Sequence, residues 1–389
     1  MNMNLPAYVI NHAISDTIRN RAVRFLCAGV LVFAASGEIA RGDADDNNGF
    51  LPNRIIVSTV PANGDVNPYG VAFVPQGFQS GTGPLQPGDI LVSNFNNSSN
   101  LQGTGTTIMR VSATGVVSTF FTATPSAPGA VGYGLSTALA VLQKGLVIVG
   151  SVPSTDGTAA TVGPGGLLVI DSSGNLLQTI TDAKIKGPWD MTVLDQGSKA
   201  VAFISNVLAG NILRLDLNVA ANGVTITSKT VIASGYQHRA DPAAFEVGPT
   251  GLVLIPAQSQ DSALYVASTE DNAVYVVSNA VTRPSSSGKG SVVYTDATHL
   301  HGPLGMALAS NGHLLAANAD VINSDPNQPS EIVEFTQQGQ FIKQLSMDPA
   351  QGGSFGLAVN VTQQTAFFAA VDDNTATLSV WPIPLPLND

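Results

Sequence analysis

Charge is scarce in this chain: Asp, Glu, Lys and Arg make up 11% of its 389 residues, and only 16 of them are basic against 27 acidic. With no basic stripe and two tryptophans, the sequence lacks the electrostatic footprint that a phosphate backbone demands, which argues against nucleic acid as a partner. Cysteine is scarcer still. Cys27 is the single one, and it falls in a leader-like stretch, so the rest of the chain carries no thiol. Disulfides and thiolate metal sites are thereby excluded, and stability must come from burial. Several chemical signatures are missing as well. The chain has no Gly-x-Ser-x-Gly elbow, no glycine-rich phosphate loop leading into a helix and no His-Glu-x-x-His, which sets aside serine-esterase and nucleotide chemistry. Little charge together with abundant Gly, Ser, Thr and Asn favours short strands and turns over salt-bridged helices.

The N-terminus has the grammar of an export signal. Arg19, Arg21 and Arg24 precede an apolar run from Phe25 to Ala35, and Ala34-Ala35-Ser36 offers the small residues a signal peptidase needs. The run is too short to span a bilayer, which takes about 20 residues. Arg24, three places before Cys27, stands where a lipoprotein signal carries an aliphatic residue. The expectation is a signal peptide over 1–36, a flexible segment over 37–53, and a secreted or periplasmic protein with no stable membrane insertion after signal removal. Loss of the leader removes three arginines and Asp16, leaving 13 basic against 26 acidic residues. Nothing in the composition calls for an oligomer, and a monomer is expected.

The rest of the chain is repetitive. Gly70, Gly134, Gly187, Gly251, Gly305 and Gly356 each open or adjoin a short apolar run, at spacings within the range of propeller and solenoid repeats. Four strand-length runs follow each landmark in the best units. In the fifth they are Gly305 to Ser310, His313 to Ala319, Glu331 to Phe335 and Phe341 to Leu345, separated by Gly, Asn, Ser and Asp clusters. The sixth unit has only three, while an unclaimed run, Arg54 to Val60, precedes the first. This predicts an all-β fold: a six-bladed β-propeller of four-stranded antiparallel blades over 54–384, with the N-terminal strand at 54–60 joining the last blade to close the ring. The blades are expected to begin near 67, 131, 186, 246, 302 and 353, with 385–389 as a C-terminal tail.

The segment His301-Gly-Pro-Leu-Gly-Met-Ala-Leu, then Asn311-Gly-His-Leu-Leu-Ala-Ala-Asn-Ala-Asp320, then Glu331-Ile-Val-Glu-Phe with a glycine turn before Phe341 resembles an NHL-type propeller repeat. At blade level the resemblance covers residues 54 to 384 and is closest in the fifth unit. Propellers of this kind include lyases, lactonase relatives and binding modules, so the likeness implies architecture and leaves activity open.

In such a fold the loops between blades and those between second and third strands share one face. That face is expected to collect Tyr69, Tyr133, Trp189, His238, Glu246, His299 and His301 from the first set, and Asn94, Asn96, Asn206, Asp271, Asn318, Asp320, Asp372 and Asp373 from the second. Three constellations stand out. Asn94, Asn206, Glu246, Asn318 and Asp320 supply the carbonyl and carboxylate oxygens that calcium accepts, similar to the gluconolactonase-like arrangement in which an axial ion polarises a lactone. The acid that such enzymes place at the start of the first blade is here Asn67-Pro68-Tyr69-Gly70. The alternative is that these Asn and Asp residues form turns. His299 and His301, two apart and so on one face of a strand, with His238 a blade earlier, form a second set suited to zinc or to proton transfer, with His301 as a base. Tyr69, Tyr133, Trp189 and Phe355 wedge between blades or form a stacking platform for a ligand, with His299 beside it. The reading that follows is an exported binding or scaffold module for a small molecule, glycan or protein. Its rival is a metal-assisted lactonase or lyase using calcium at the channel mouth.

Overall fold

The computed structural model describes residues 54–124, 133–256, 262–325, 327 and 331–385. The expected signal peptide at 1–36 and the segment at 37–53 lie outside these residues, as does most of the 385–389 tail. Among the described residues no helix is long and apolar enough to cross a membrane.

The chain is a six-bladed β-propeller. Each blade is a four-stranded antiparallel sheet, and in blades one to five the strands run in sequence order from the axis outward. Blade one uses Val66–Phe73, Ile90–Asn96, Thr107–Val111 and Val117–Thr122. Blade six is built from Ser354–Val361, Thr365–Asp372 and Thr377–Pro384, and its outermost strand is Ile55–Ser58, which pairs with Thr377–Pro384 from Ile55↔Val380 to Ser58↔Thr377. The expected closing strand therefore exists and does what the missing fourth run of unit six required.

Every blade faces a neighbour on both sides, which explains why the middle strands read as continuous apolar runs rather than alternating ones. Six apolar clusters occupy the six blade interfaces. In the second strand of blade three, Lys199–Asn206, the side chains of Ala202 and Ile204 face blade two while Phe203 faces blade four. One element breaks the pattern: between blades three and four the chain inserts a hairpin, Arg239–Asp241 paired with Phe245–Val247, over the loop-rich face.

The innermost strands show what the repeated glycines do. Every blade enters its first strand through a four-residue motif: Asn67-Pro-Tyr-Gly70, Gly134-Leu-Ser-Thr137, Gly187-Pro-Trp-Asp190, Gly248-Pro-Thr-Gly251, Gly302-Pro-Leu-Gly305 and Gly353-Ser-Phe-Gly356. A bulge follows or lies within it in each blade. At the fourth position the backbone of the next blade is so close that a side chain has no room: a Cβ on Gly251 would lie 2.2 Å from the Leu304 carbonyl oxygen, on Gly305 2.0 Å from that of Phe355, and on Gly356 2.1 Å from that of Tyr69. The sequence landmarks Gly134 and Gly187 thus belong to the first position of the motif. The true fourth-position residues of blades two and three are Thr137, whose hydroxyl donates to the Trp189 carbonyl, and Asp190, whose carboxylate accepts from Leu252 N at 2.9 Å.

Candidate functional site

In four blades the third position of the motif carries Tyr69, Trp189, Leu304 or Phe355, which cluster with Phe95 and Phe245. Together these side chains close the channel beneath the loop-rich face. Tyr69 stacks on Phe95 at 4.8 Å between centroids and lies 4.5 Å from Phe355, and Trp189 meets Tyr69 and Phe95 edge-on at 5.8 and 5.4 Å. All are buried. The aromatic set, apart from Tyr133, is therefore a plug on the axis rather than a series of wedges between blades. Tyr133 is half-buried at the interface of blades one and two, its hydroxyl donating to Thr124 O at 3.2 Å.

Above the plug lies a cavity of about 280 Å³. Tyr69, Trp189, Leu304 and Phe355 form its floor, and loops of blades one, five and six and the inserted hairpin form its walls. Three carboxyl groups line it: Glu246 from the hairpin, Asp320 from blade five and Asp373 from blade six. No Lys, Arg or His is among the described lining residues. The hairpin is tied across the mouth by Gln102, whose side-chain amide donates to Ala243 O at 2.7 Å.

The carboxyl groups differ in their surroundings. Asp320 Oδ2 accepts from Gly352 N at 2.9 Å. Burial raises Glu246 to about 7, with no compensating donor. Asp373 is also raised to about 7, by burial first and then by the negative charges of Asp372 and Asp348. Tyr69 is pushed well above the ordinary phenol range by burial and by Asp373, so its hydroxyl stays protonated.

The five oxygen donors proposed from sequence divide. Glu246 and Asp320 share the cavity; Asn94, Asn206 and Asn318 do not line it. Asn206 and Asn318 end second strands, Asn94 lies two residues before the end of one, and each clamps a loop entering its blade. Asn206 accepts from Lys186 N at 3.0 Å and donates to Lys184 O at 2.9 Å; Asn318 accepts from His301 N at 2.9 Å and donates to His299 O at 2.8 Å. Asn94 donates to Thr59 O at 3.0 Å, just past the closing strand. Such buried amides replace backbone pairing that the loops cannot make themselves. Among the described residues no group of three or more His, Cys, Asp or Glu stands together to hold a metal ion.

The histidines do not converge. Residues 299 to 301 lie in a turn, so the strand argument that put both imidazoles on one face does not apply. His299 stacks on Phe341 with centroids 4.0 Å apart and bonds Asp296 Oδ2 through Nδ1 at 2.7 Å. His301 is buried away from the cavity, its ring facing the carbonyls of Asn323 and Thr298. His238 is exposed.

A second cavity, also about 280 Å³, runs between the innermost strands of all six blades, and Asp190 is its one charged lining residue. Burial raises Asp190 to about 7, against the pull of the Met191 and Leu252 N–H groups. Sequence reading missed it, along with Asn67 and Gln102 of the mouth and Phe245 of the plug. Asp190 was within reach, because aligning the six entry motifs on their first residue exposes an acid where four blades carry glycine.

No family model matches the chain, and no curated protein resembles it in sequence. Among solved structures, similarity extends to a catalytically inactive virginiamycin B lyase from Staphylococcus aureus with quinupristin. It is 12% identical, with a TM-score of 0.45, over 84% of this chain and 99% of that one. The calcium-binding protein regucalcin from Agrobacterium tumefaciens is 13% identical with a TM-score of 0.48, over 87% of this chain and 96% of that one. Neither likeness bears on activity.

Proposed function

We propose that this protein is an exported binding module that takes a small molecule at the mouth of its propeller channel. One observation carries the reading: a single concavity of about 280 Å³ has an aromatic floor and a few carboxyl groups on its walls. Mostly apolar pockets with a few polar groups are the usual form of small-molecule sites. A chamber of this size suits a compact ligand better than a protein surface or a glycan chain. The metal-assisted lactonase or lyase reading retains only Glu246 and Asp320 of its five ligands in the cavity, so binding is preferred. Export rests on the Arg-rich, apolar and small-residue leader over 1–36, and N-terminal sequencing of the secreted or periplasmic protein should begin at Gly37.

A thermal-shift screen of compact molecules of mixed charge tests the cavity. Ligands that bind the folded state raise Tm by mass action. Filling the mouth with Ala319→Phe should abolish that rise while leaving a cooperative melt. A screen without a hit, or hits untouched by the filled mouth and by a second filling variant at the half-buried lining residue Val321, Val321→Phe, would count against the reading.

A further inference from the structure

The mouth cavity also carries an inference about ligand chemistry, which rests on the small-molecule reading above. Glu246 is 6% exposed, yet no hydrogen-bond donor or cation among the described residues answers its carboxyl; burial alone acts on it. Asp373 is half-buried, and among the described residues the charges acting on it are likewise only those of two further acids, Asp372 and Asp348. Native proteins seldom bury a carboxyl without a partner, because the desolvation is then uncompensated. Here one such group and a half-buried second line one chamber, above Tyr69, Trp189 and Phe355, with no basic side chain among the described lining residues. That combination repels anions. A neutral polyol donates hydroxyl hydrogen bonds to carboxylates but leaves both negative charges unneutralised in the chamber. A hard metal ion wants six or more clustered oxygens, which the lining does not gather. A cation bearing its own hydrocarbon fits both halves of the site, since aromatic faces attract organic cations while carboxylates neutralise them.

We propose that the cavity recognises an organic ammonium ion, with Glu246 and Asp373 answering its charge and Tyr69, Trp189 and Phe355 packing against its methyl or methylene groups. The ligand then supplies the countercharge that no side chain among the described residues gives Glu246. Glu246→Gln removes an uncompensated charge, so the variant should fold at least as stably as the parent while losing affinity. A purely structural role for Glu246 does not produce that pairing.

Tryptophan fluorescence reads the test, because Trp189 lines the cavity while Trp381 is buried between blades five and six. The mature protein is titrated at about pH 8.5, above both raised carboxyls, with choline and with 3,3-dimethylbutan-1-ol, its uncharged isostere. Choline should give a saturable change that Trp189→Phe removes, with affinity about tenfold above that of the isostere. Glu246→Gln and Asp373→Asn should each weaken choline about fivefold or more and leave the isostere unaffected. Equal affinity for choline and isostere would overturn the cation assignment and leave the small-molecule site standing. Silence toward choline overturns it too, and the thermal-shift screen then decides separately whether the cavity binds anything.

Discussion

Asp190 allows a stability prediction free of any assumption about ligand. It replaces glycine at a position where three other blades leave no space for a Cβ, and its carboxyl is raised from 3.8 to about 7 by burial in the axial cavity. The sign follows from proton linkage. Between about pH 4 and pH 7 the folded chain holds a proton on Asp190 that the unfolded chain has released, so stability falls as pH rises through that window and levels off above it. A displacement of that size corresponds to about 4 kcal/mol. Solvent in the axial cavity screens part of this, which leaves about 2–4 kcal/mol. Asp190→Asn has no proton to lose, and its amide oxygen retains an acceptor for Leu252 N. The loss of the Met191 N–H acceptor adds an offset of about 1 kcal/mol that does not vary with pH. Urea denaturation of both proteins at intervals from pH 4 to pH 8 gives the comparison. Glu246 and Asp373, also raised to about 7, titrate in both proteins and cancel in the difference. The variant should gain about 2–4 kcal/mol on the parent between the two ends of the range. Parallel curves, or a gap that widens toward acid, would refute the reasoning.

Three further perturbations test the ring itself. Gly305→Ala places a methyl group 2.0 Å from the Phe355 carbonyl oxygen and should cost about 3 kcal/mol, read from the urea midpoint, because backbone on both sides resists displacement. Asn318→Leu strands the His301 N–H and the His299 carbonyl. It should cost about 2–5 kcal/mol in the same assay, and added calcium should leave both parent and variant melts unchanged; a calcium-dependent melt lost on substitution would restore the ligand reading of this residue. Deleting residues 37–60 from the mature protein uncovers the edge of Thr377–Pro384 and removes Val57 from the interface of blades one and six. A lower Tm should accompany concentration-dependent association on size-exclusion chromatography, since an open strand edge templates pairing with another chain.

The architecture was legible because its causes are local. Strand-length apolar runs, turn clusters between them and the unclaimed run at 54–60 each follow from residue patterning, and closure follows from counting strands. The landmark register failed in blades two and three for a physical reason. Gly134 and Gly187 answer the demand for an unhindered residue where the chain turns into the strand, whereas Gly305 and Gly356 answer a steric demand from the neighbouring blade. The two kinds of glycine look alike in a sequence. The asparagines misled in a comparable way: Asn206 and Asn318 have the chemistry of oxygen ligands, but the backbone groups they serve become neighbours only when the loops fold. Of the residues read as oxygen ligands, Glu246 and Asp320 line the cavity, while Gln102 reaches the mouth and Phe245 the plug through a long loop and an inserted hairpin that no periodicity announces.

The pairing of Ile55–Ser58 with Thr377–Pro384 also has a kinetic meaning. The Thr59 hydroxyl donates to Ala376 O across 317 positions of sequence, and joining points so distant costs about 5 kcal/mol of chain entropy before any contact is made. Blades one to five can each assemble from adjacent segments as the chain emerges. The sixth must wait until the last strand is available. A chain released before Thr377–Pro384 holds Ile55–Ser58 with nothing to pair against and leaves the interface of blades one and six unmade, so the ring closes last.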